Sequence, residues 1–252
     1  MFDSKLPARI GRLNELAYNL WWSWHDEPRH MFRALDYPLW RLTGHNPVKL
    51  LREISPDSLQ KAALDPAFVS QYDAVMAAFD EAMFSSDTWF ATKYPGLLNG
   101  PVGYMSMEYA IHNSLPMYAG GLGILAGDHC KEASDLGLPM VAVGFMYPQG
   151  YFHQHISPDG WQQEVYQQLD FEEAPVSRVL SPKGELTVAN IQLGNVDLAI
   201  GVWLVRVGRT TIYLLDTNMP ENTPQYRQLS ARLYVSDREL RLRQELVLGV
   251  GG

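Results

Sequence analysis

Between positions 118 and 129 the chain reads Tyr118-Ala-Gly-Gly-Leu-Gly-Ile-Leu-Ala-Gly-Asp-His129. Gly120, Gly121 and Gly123 leave the backbone bare where a helical pattern begins, so its N–H groups can approach an anion closely. The helix dipole adds roughly half a positive charge at the same end. The chemistry on offer is the holding of a phosphate without a lysine. Tight packing turns use the same glycines. The site reading gains from position, because the turn lies between the strand-like Val102-Gly-Tyr-Met-Ser-Met-Glu-Tyr109 and the helical pattern Leu122 to Leu136.

Other chemistry-bearing residues lie nearby. Glu108 follows that strand, at the carboxyl edge of a parallel sheet, where open α/β folds bind ligands. Asp128 and His129 fall in the early turns of the helix. Asp128 there is favoured by the dipole alone, and a charged His129 would help hold an anion. His153 and His155 share one face of a strand-like stretch, but no third His or Cys stands at ligand spacing, so no metal is expected. A Gly-x-Ser-x-Gly elbow is absent, as is the Walker pattern, and no carboxylate pair stands out for glycoside hydrolysis.

The elements that must position these residues change character along the chain. Residues 1–85 read as helices: Pro7 to Trp24 has helical apolar spacing, Pro28 opens the next helix and Pro38 kinks or ends it. Asn46-Pro47, Ser55-Pro56 and Asp65-Pro66 each set a cap residue before a proline, the last starting a helix to Phe84. Residues 86–100 form a turn-rich linker and the domain boundary. From residue 101 to 252 the pattern is α/β. Val102 to Met107 is a strand, Leu122 to Leu136 a helix and Pro139 to Met146 a buried parallel strand, which makes one right-handed βαβ unit. Glu185 to Gln192, Val196 to Val207 and Thr210 to Leu215 read as strands. Pro224 to Tyr234 and Arg238 to Val250 read as helices.

Bulk properties narrow the class. With 46% hydrophobic and 19% charged residues over 252 positions, the chain is that of a globular protein. Its net charge of −8 and the lack of a basic run exclude nucleic-acid and anionic-membrane partners. No apolar stretch reaches a membrane span, the start lacks a signal-peptide pattern, and the single Cys130 forms no internal disulfide. Together these place it in the cytoplasm.

Several words in order carry a resemblance: Ser106-Met-Glu-Tyr-Ala110, Ser114-Leu-Pro-Met-Tyr118, Gly120-Gly-Leu-Gly-Ile-Leu-Ala-Gly-Asp-His129, Ala133-Ser-Asp-Leu-Gly-Leu-Pro139, Gly150-Tyr-Phe-His-Gln154, Asp159-Gly-Trp-Gln-Gln-Glu164 and Tyr213-Leu-Leu-Asp-Thr-Asn-Met-Pro-Glu-Asn222. With Asn14-Glu-Leu-Ala-Tyr-Asn-Leu-Trp-Trp-Ser-Trp24 and Asp237 to Glu245, the chain resembles the N-terminal part of an α-glucan phosphorylase of the shorter bacterial and archaeal type. The resemblance implies an α/β fold, with a helical region followed by an incomplete Rossmann-like first lobe of a two-lobed, GT-B type glycosyltransferase. It implies that Gly120, Gly121, Leu122 and Gly123 line the site shared by inorganic phosphate and glucose 1-phosphate, and that Glu108 orients a sugar hydroxyl or a cationic group. Gln154 and Trp161 would line the sugar cleft, and Asp237 would lie on a loop near the site. The partners implied are an α-1,4-glucan or maltooligosaccharide and phosphate.

The family is much longer. The resemblance implies pyridoxal phosphate held by a lysine of a second lobe, and none of Lys5, Lys49, Lys61, Lys93, Lys131 or Lys183 stands in a similar context. The isolated chain is therefore expected to be inactive, and its interrupted sheet to leave an open edge that invites a homo-oligomer. Two alternatives stay open. A glycogen or starch synthase also carries a Gly-Gly-Leu-Gly turn, but with a lysine where Tyr118 stands. A non-catalytic product could instead bind glucan or pair with a full-length subunit.

Overall fold

The computed structural model describes residues 6–252, and Lys5 lies outside the described residues. The helices comprise α1 (Leu13–Tyr18), α2 (Asp26–Leu35), α3 (Tyr37–Leu42), α4 (Pro47–Glu53), α5 (Pro56–Leu64), α6 (Pro66–Phe84) and α7 (Trp89–Lys93). The cap–proline pairs work as read: Asn46 accepts from the Val48 and Lys49 amides, Ser55 from Ser58 and Asp65 from Ala67. Pro38 sits in the first turn of α3 and opens that helix, behind the Asp36 cap, rather than ending α2. The expected linker at 86–100 carries α7.

The helical pattern from Pro7 to Trp24 breaks at Asn19, which is extended, and resumes as a 3-10 segment over Leu20–Trp24. The cause is distant. Asn19 Oδ1 accepts from the Gly208 amide at 2.8 Å and its Nδ2 donates to the Gly208 carbonyl at 3.1 Å. One buried side chain thus clasps the turn between the two longest strands, satisfying backbone groups that no helix residue reaches.

The second half holds β1 (Val102–Met105), α8 (Gly121–Leu136), β2 (Met140–Phe145), a hairpin of β3 (His153–Ile156) and β4 (Gln162–Val165), β5 (Ser177–Arg178), β6 (Val188–Leu193), β7 (Val196–Val207) and β8 (Thr210–Asp216). Then come α9 (Pro224–Arg227) and α10 (Arg238–Leu246). The main sheet runs β1-β2-β8-β7-β5, with β6 also on β7. β1, β2 and β8 are parallel, whereas β7 is antiparallel to β8, β6 and β5, so the sheet is mixed. The helix expected over Pro224 to Tyr234 is only α9 and a 3-10 turn to Ser230. Tyr234 has φ +50° and cannot continue a helix.

Strand alternation assigns each side chain to a face. Trp203, Val205 and Val207 of β7 and Ile212 and Leu214 of β8 join Ala126 and Cys130 of α8 and the helical region's Leu16, Trp22, Phe32 and Phe79 in one cluster. Leu198, Ile200 and Leu215 point the other way, to Phe145, Leu229, Val247 and Leu248. Both faces are covered, and the helical region shares the larger core. Trp22, 1% exposed, meets Phe32, Trp40 and His112 edge-on.

Burial, aided by the positive charges of Lys131, His45 and Arg29, pushes His112 down to about 4. Below its unfolded value of 6.5 the unfolded chain binds a proton that the folded chain refuses. Stability is therefore expected to fall as pH drops from 6.5 through 4, by as much as about 3 kcal/mol. Urea midpoints of wild type and His112→Gln across that range check this. The variant should show a shallower slope.

Candidate functional site

The site is built where the chain leaves β1. Ser106 Oγ donates to the Glu108 carbonyl at 3.0 Å and turns the backbone back towards α8. The Tyr109 amide then donates to the Met117 carbonyl at 2.9 Å, and the Ala110 amide to the Gly123 carbonyl at 2.8 Å. The segment thus lies directly on the first turns of α8. Only glycine permits this: a Cβ on Gly127 would stand 2.1 Å from the Ala110 carbonyl oxygen, and one on Gly123 2.6 Å from Tyr118 Cβ. On Gly120 and Gly121 it would meet nothing within 4 Å. Those two glycines lie exposed at the mouth, with Gly123 and Gly127 packed behind them.

Glu108 is 2% exposed and lies under the turn. Its Oε2 accepts from the Ala119 amide at 2.5 Å and the Gly120 amide at 3.0 Å, and its Oε1 accepts from the Tyr234 hydroxyl at 2.8 Å. The carboxylate organises the turn from within and spends two of its donors. The Gly121 and Leu122 amides, in the first turn of α8, find no acceptor among the described residues. Two open donors at the positive end of a 16-residue helix suit an oxyanion or a sugar oxygen. Leu122, Ile124 and Leu125 are 46%, 49% and 64% exposed and flank them with apolar surface.

Two tyrosines complete the site without having been singled out in the sequence. Tyr234 donates to Glu108 from a left-handed backbone, and burial together with that hydrogen bond pushes its hydroxyl up to about 12. Tyr147 is fully buried, and its hydroxyl has no partner. Burial first, then Tyr234 and Glu108, raise it further. Tyr234 lies 126 residues from Glu108, and a lone tyrosine in an irregular loop gives no local signal.

The remaining candidates lie apart. His129 is eight residues beyond Gly121, or roughly 12 Å along the helix, and its ring packs on Tyr104 at 4.8 Å. Asp128 pairs with Lys131 at 4.0 Å. Gln154 donates to Gln162 across the β3–β4 hairpin, and Trp161 sits in its turn, 74% exposed. The hairpin springs from beside the turn, because Gly150 lies against the Pro116 carbonyl. The Asp237 carboxylate caps α10, accepting from the Glu239 and Leu240 amides. Among the described residues no three His, Cys, Asp or Glu side chains converge on a metal position. None of the described lysines forms an ion pair or hydrogen bond with the turn. Lys131 lies ten residues along α8, roughly 15 Å away, Lys49 pairs with Glu173, and Lys61, Lys93 and Lys183 are exposed.

A parallel β–α–β unit whose helix opens on a glycine turn, with two open amides over a buried carboxylate, defines an α/β protein. Comparison with known proteins gives the particular kind. Over 237 residues the chain is 45% identical to the glycogen phosphorylase of Aquifex aeolicus, covering 94% of this chain and 33% of that protein. It is 41% identical to the maltodextrin phosphorylase of Thermococcus litoralis over 249 residues, which is 99% of this chain and 30% of that protein. It is 39% identical to the glycogen phosphorylase of Mycobacterium tuberculosis over 253 residues, 98% of this chain and 29% of that protein. Residues 6–115 match a family described as a protein of unknown function, DUF3417. The chain is homologous over nearly its whole length to the N-terminal part of the glycogen and maltodextrin phosphorylases, and it spans about a third of the length of these relatives. No helix of the described residues is long and apolar enough to cross a membrane.

Proposed function

We propose that this chain is the part of an α-1,4-glucan phosphorylase that holds the phosphate of inorganic phosphate or glucose 1-phosphate against the glucan end. In a two-lobed glycosyltransferase of GT-B type it would form the helical region and part of the first lobe. One observation carries the reading: the open Gly121 and Leu122 amides at the start of α8, held in place by Glu108 from below. The homology to phosphorylases over 94–99% of the chain supports the substrate class. Gly120 and Gly123 give the turn its shape, and the apolar Leu122 and Leu125 limit water at its mouth. Trp161, exposed on the hairpin beside the turn, offers a flat face to a sugar ring.

Phosphorolysis in this family would draw its proton from the phosphate of pyridoxal phosphate. The described lysines do not fit that group: Lys49 is paired with Glu173, Lys131 lies ten residues along α8 beside Asp128, and Lys61, Lys93 and Lys183 are exposed to solvent rather than set in a pocket. The chain by itself is therefore expected to bind glucose 1-phosphate without forming it from maltodextrin and phosphate.

The direct test is Gly121→Pro. Proline is tolerated at the first helical position, where its missing N–H is not needed by the helix, and Gly120 before it is extended. The variant should keep its thermal midpoint yet bind glucose 1-phosphate roughly tenfold more weakly, the scale of one lost charge-assisted hydrogen bond. Titration calorimetry on both proteins reads this. Unchanged affinity in the variant, or no binding by folded wild type, would sink the assignment.

A further inference from the structure

We propose that the helical region carries a second anion site, a cavity of about 480 Å³ that takes a phosphate monoester bearing a flat ring. Its floor is Trp22 and Trp40, which are 1% and 6% exposed, together with His112. Its rim is Arg29 and Arg33 of α2 and Arg41 of α3. No acidic residue lines it, in a chain whose net charge is −8. Asp26 engages Arg29 from outside the lining, and Arg33 lies over the Tyr37 ring.

The polar groups of the lining decide the ligand class. The Ser114 amide donates to His112 Nδ1 at 3.1 Å, so the neutral ring carries its proton on Nε2, a donor. Guanidinium groups donate only and fit phosphate oxygens in pairs. The three guanidinium groups of the rim and the His112 Nε2–H make a lining of donors, which selects a ligand rich in acceptors. The positive rim makes that ligand anionic, and the aromatic floor gives it a ring to cover.

A further feature sets this cavity apart from a packing defect. Gly44 and His45, which end α3, are both left-handed, with φ +64° and +61°. For histidine that conformation carries a cost the surroundings must impose, and such residues gather at ligand sites. The strained turn sets the His45 ring against Trp40 at 5.2 Å, on the cavity wall. This site does not depend on the glycine turn, being built from the helical region and His112.

The test is calorimetric titration of the chain with phenyl phosphate, with benzyl alcohol as the neutral control. Phenyl phosphate should bind saturably and benzyl alcohol should not compete. The double variant Arg33→Ala/Arg41→Ala, at exposed positions, should bind at least about tenfold more weakly. Gly121→Pro should leave the arginine-dependent binding of phenyl phosphate in place. The proposal is overturned if folded wild type shows no saturable binding at millimolar concentration, if the double arginine variant binds unchanged, or if Gly121→Pro alone abolishes binding. That last result would move the ligand to the glycine turn.

Discussion

Gly127→Ala is expected to destabilise the chain by about 2–4 kcal/mol, against the usual sign for a glycine inside a helix. In an ordinary helix the change gains about 1 kcal/mol, because alanine loses less backbone entropy. Here the new Cβ would stand 2.1 Å from the Ala110 carbonyl oxygen and 2.7 Å from its carbon. Backbone cannot swing aside as a flexible side chain can, and overpacking of this kind costs roughly 1–3 kcal/mol or more. The segment that must move is the one whose Ala110 amide holds the Gly123 carbonyl, so displacement reaches the turn itself. Equilibrium urea unfolding measures the loss, and glucose 1-phosphate affinity should fall with it. Gly120→Ala is the control: its Cβ meets nothing within 4 Å, and stability should stay within about 0.5 kcal/mol. A neutral Gly127→Ala would mean that α8 does not pack on this segment as described.

Glu108→Ala is expected to cost about 3 kcal/mol and to release the loop carrying Tyr234. The carboxylate accepts two backbone amides and one hydroxyl while 2% exposed. Removing it leaves three part-buried donors without their acceptor, at roughly 1–3 kcal/mol for a fully buried group and less where water reaches it. The left-handed Tyr234 then loses the hydrogen bond that helps hold its conformation. Glu108→Gln keeps the shape and one acceptor oxygen, and should lose about half as much. Amide exchange at Ala119 and Gly120 reports the change locally. Both should exchange faster in Glu108→Ala, and unaltered rates would show that the turn holds itself.

Much of the architecture was legible because it is local. Asn46, Ser55 and Asp65 announce helix starts through a side chain reaching amides two or three residues on, and each does so. The βαβ unit and the strands ending near Val207 and Asp216 follow from apolar runs between glycines. The glycine turn was visible for the same reason, since a bare backbone before a helix is a property of a few adjacent residues. Ordered motif words carried the likeness to phosphorylases, and homology across 94–99% of the chain matches it.

What the sequence by itself determined is thus the helical region, the α/β half, the place of the glycine turn and the family likeness. Tertiary structure alone decided how the turn is held and which residues share a site. Asn19 breaks a helical pattern because Gly208 needs its amide. Glu108 faces inward to the turn because Tyr234, from a loop after β8, meets it there. His129 lies away from the turn although adjacent in sequence, because a helix advances about 1.5 Å per residue. Arg29, Arg41 and His112 line one cavity only because the helical region shares a core with the sheet. Periodicity and capping act over a few residues, so a sequence displays them. Hydrogen bonds across a hundred residues or more depend on where packing brings the backbone, and no local pattern encodes that.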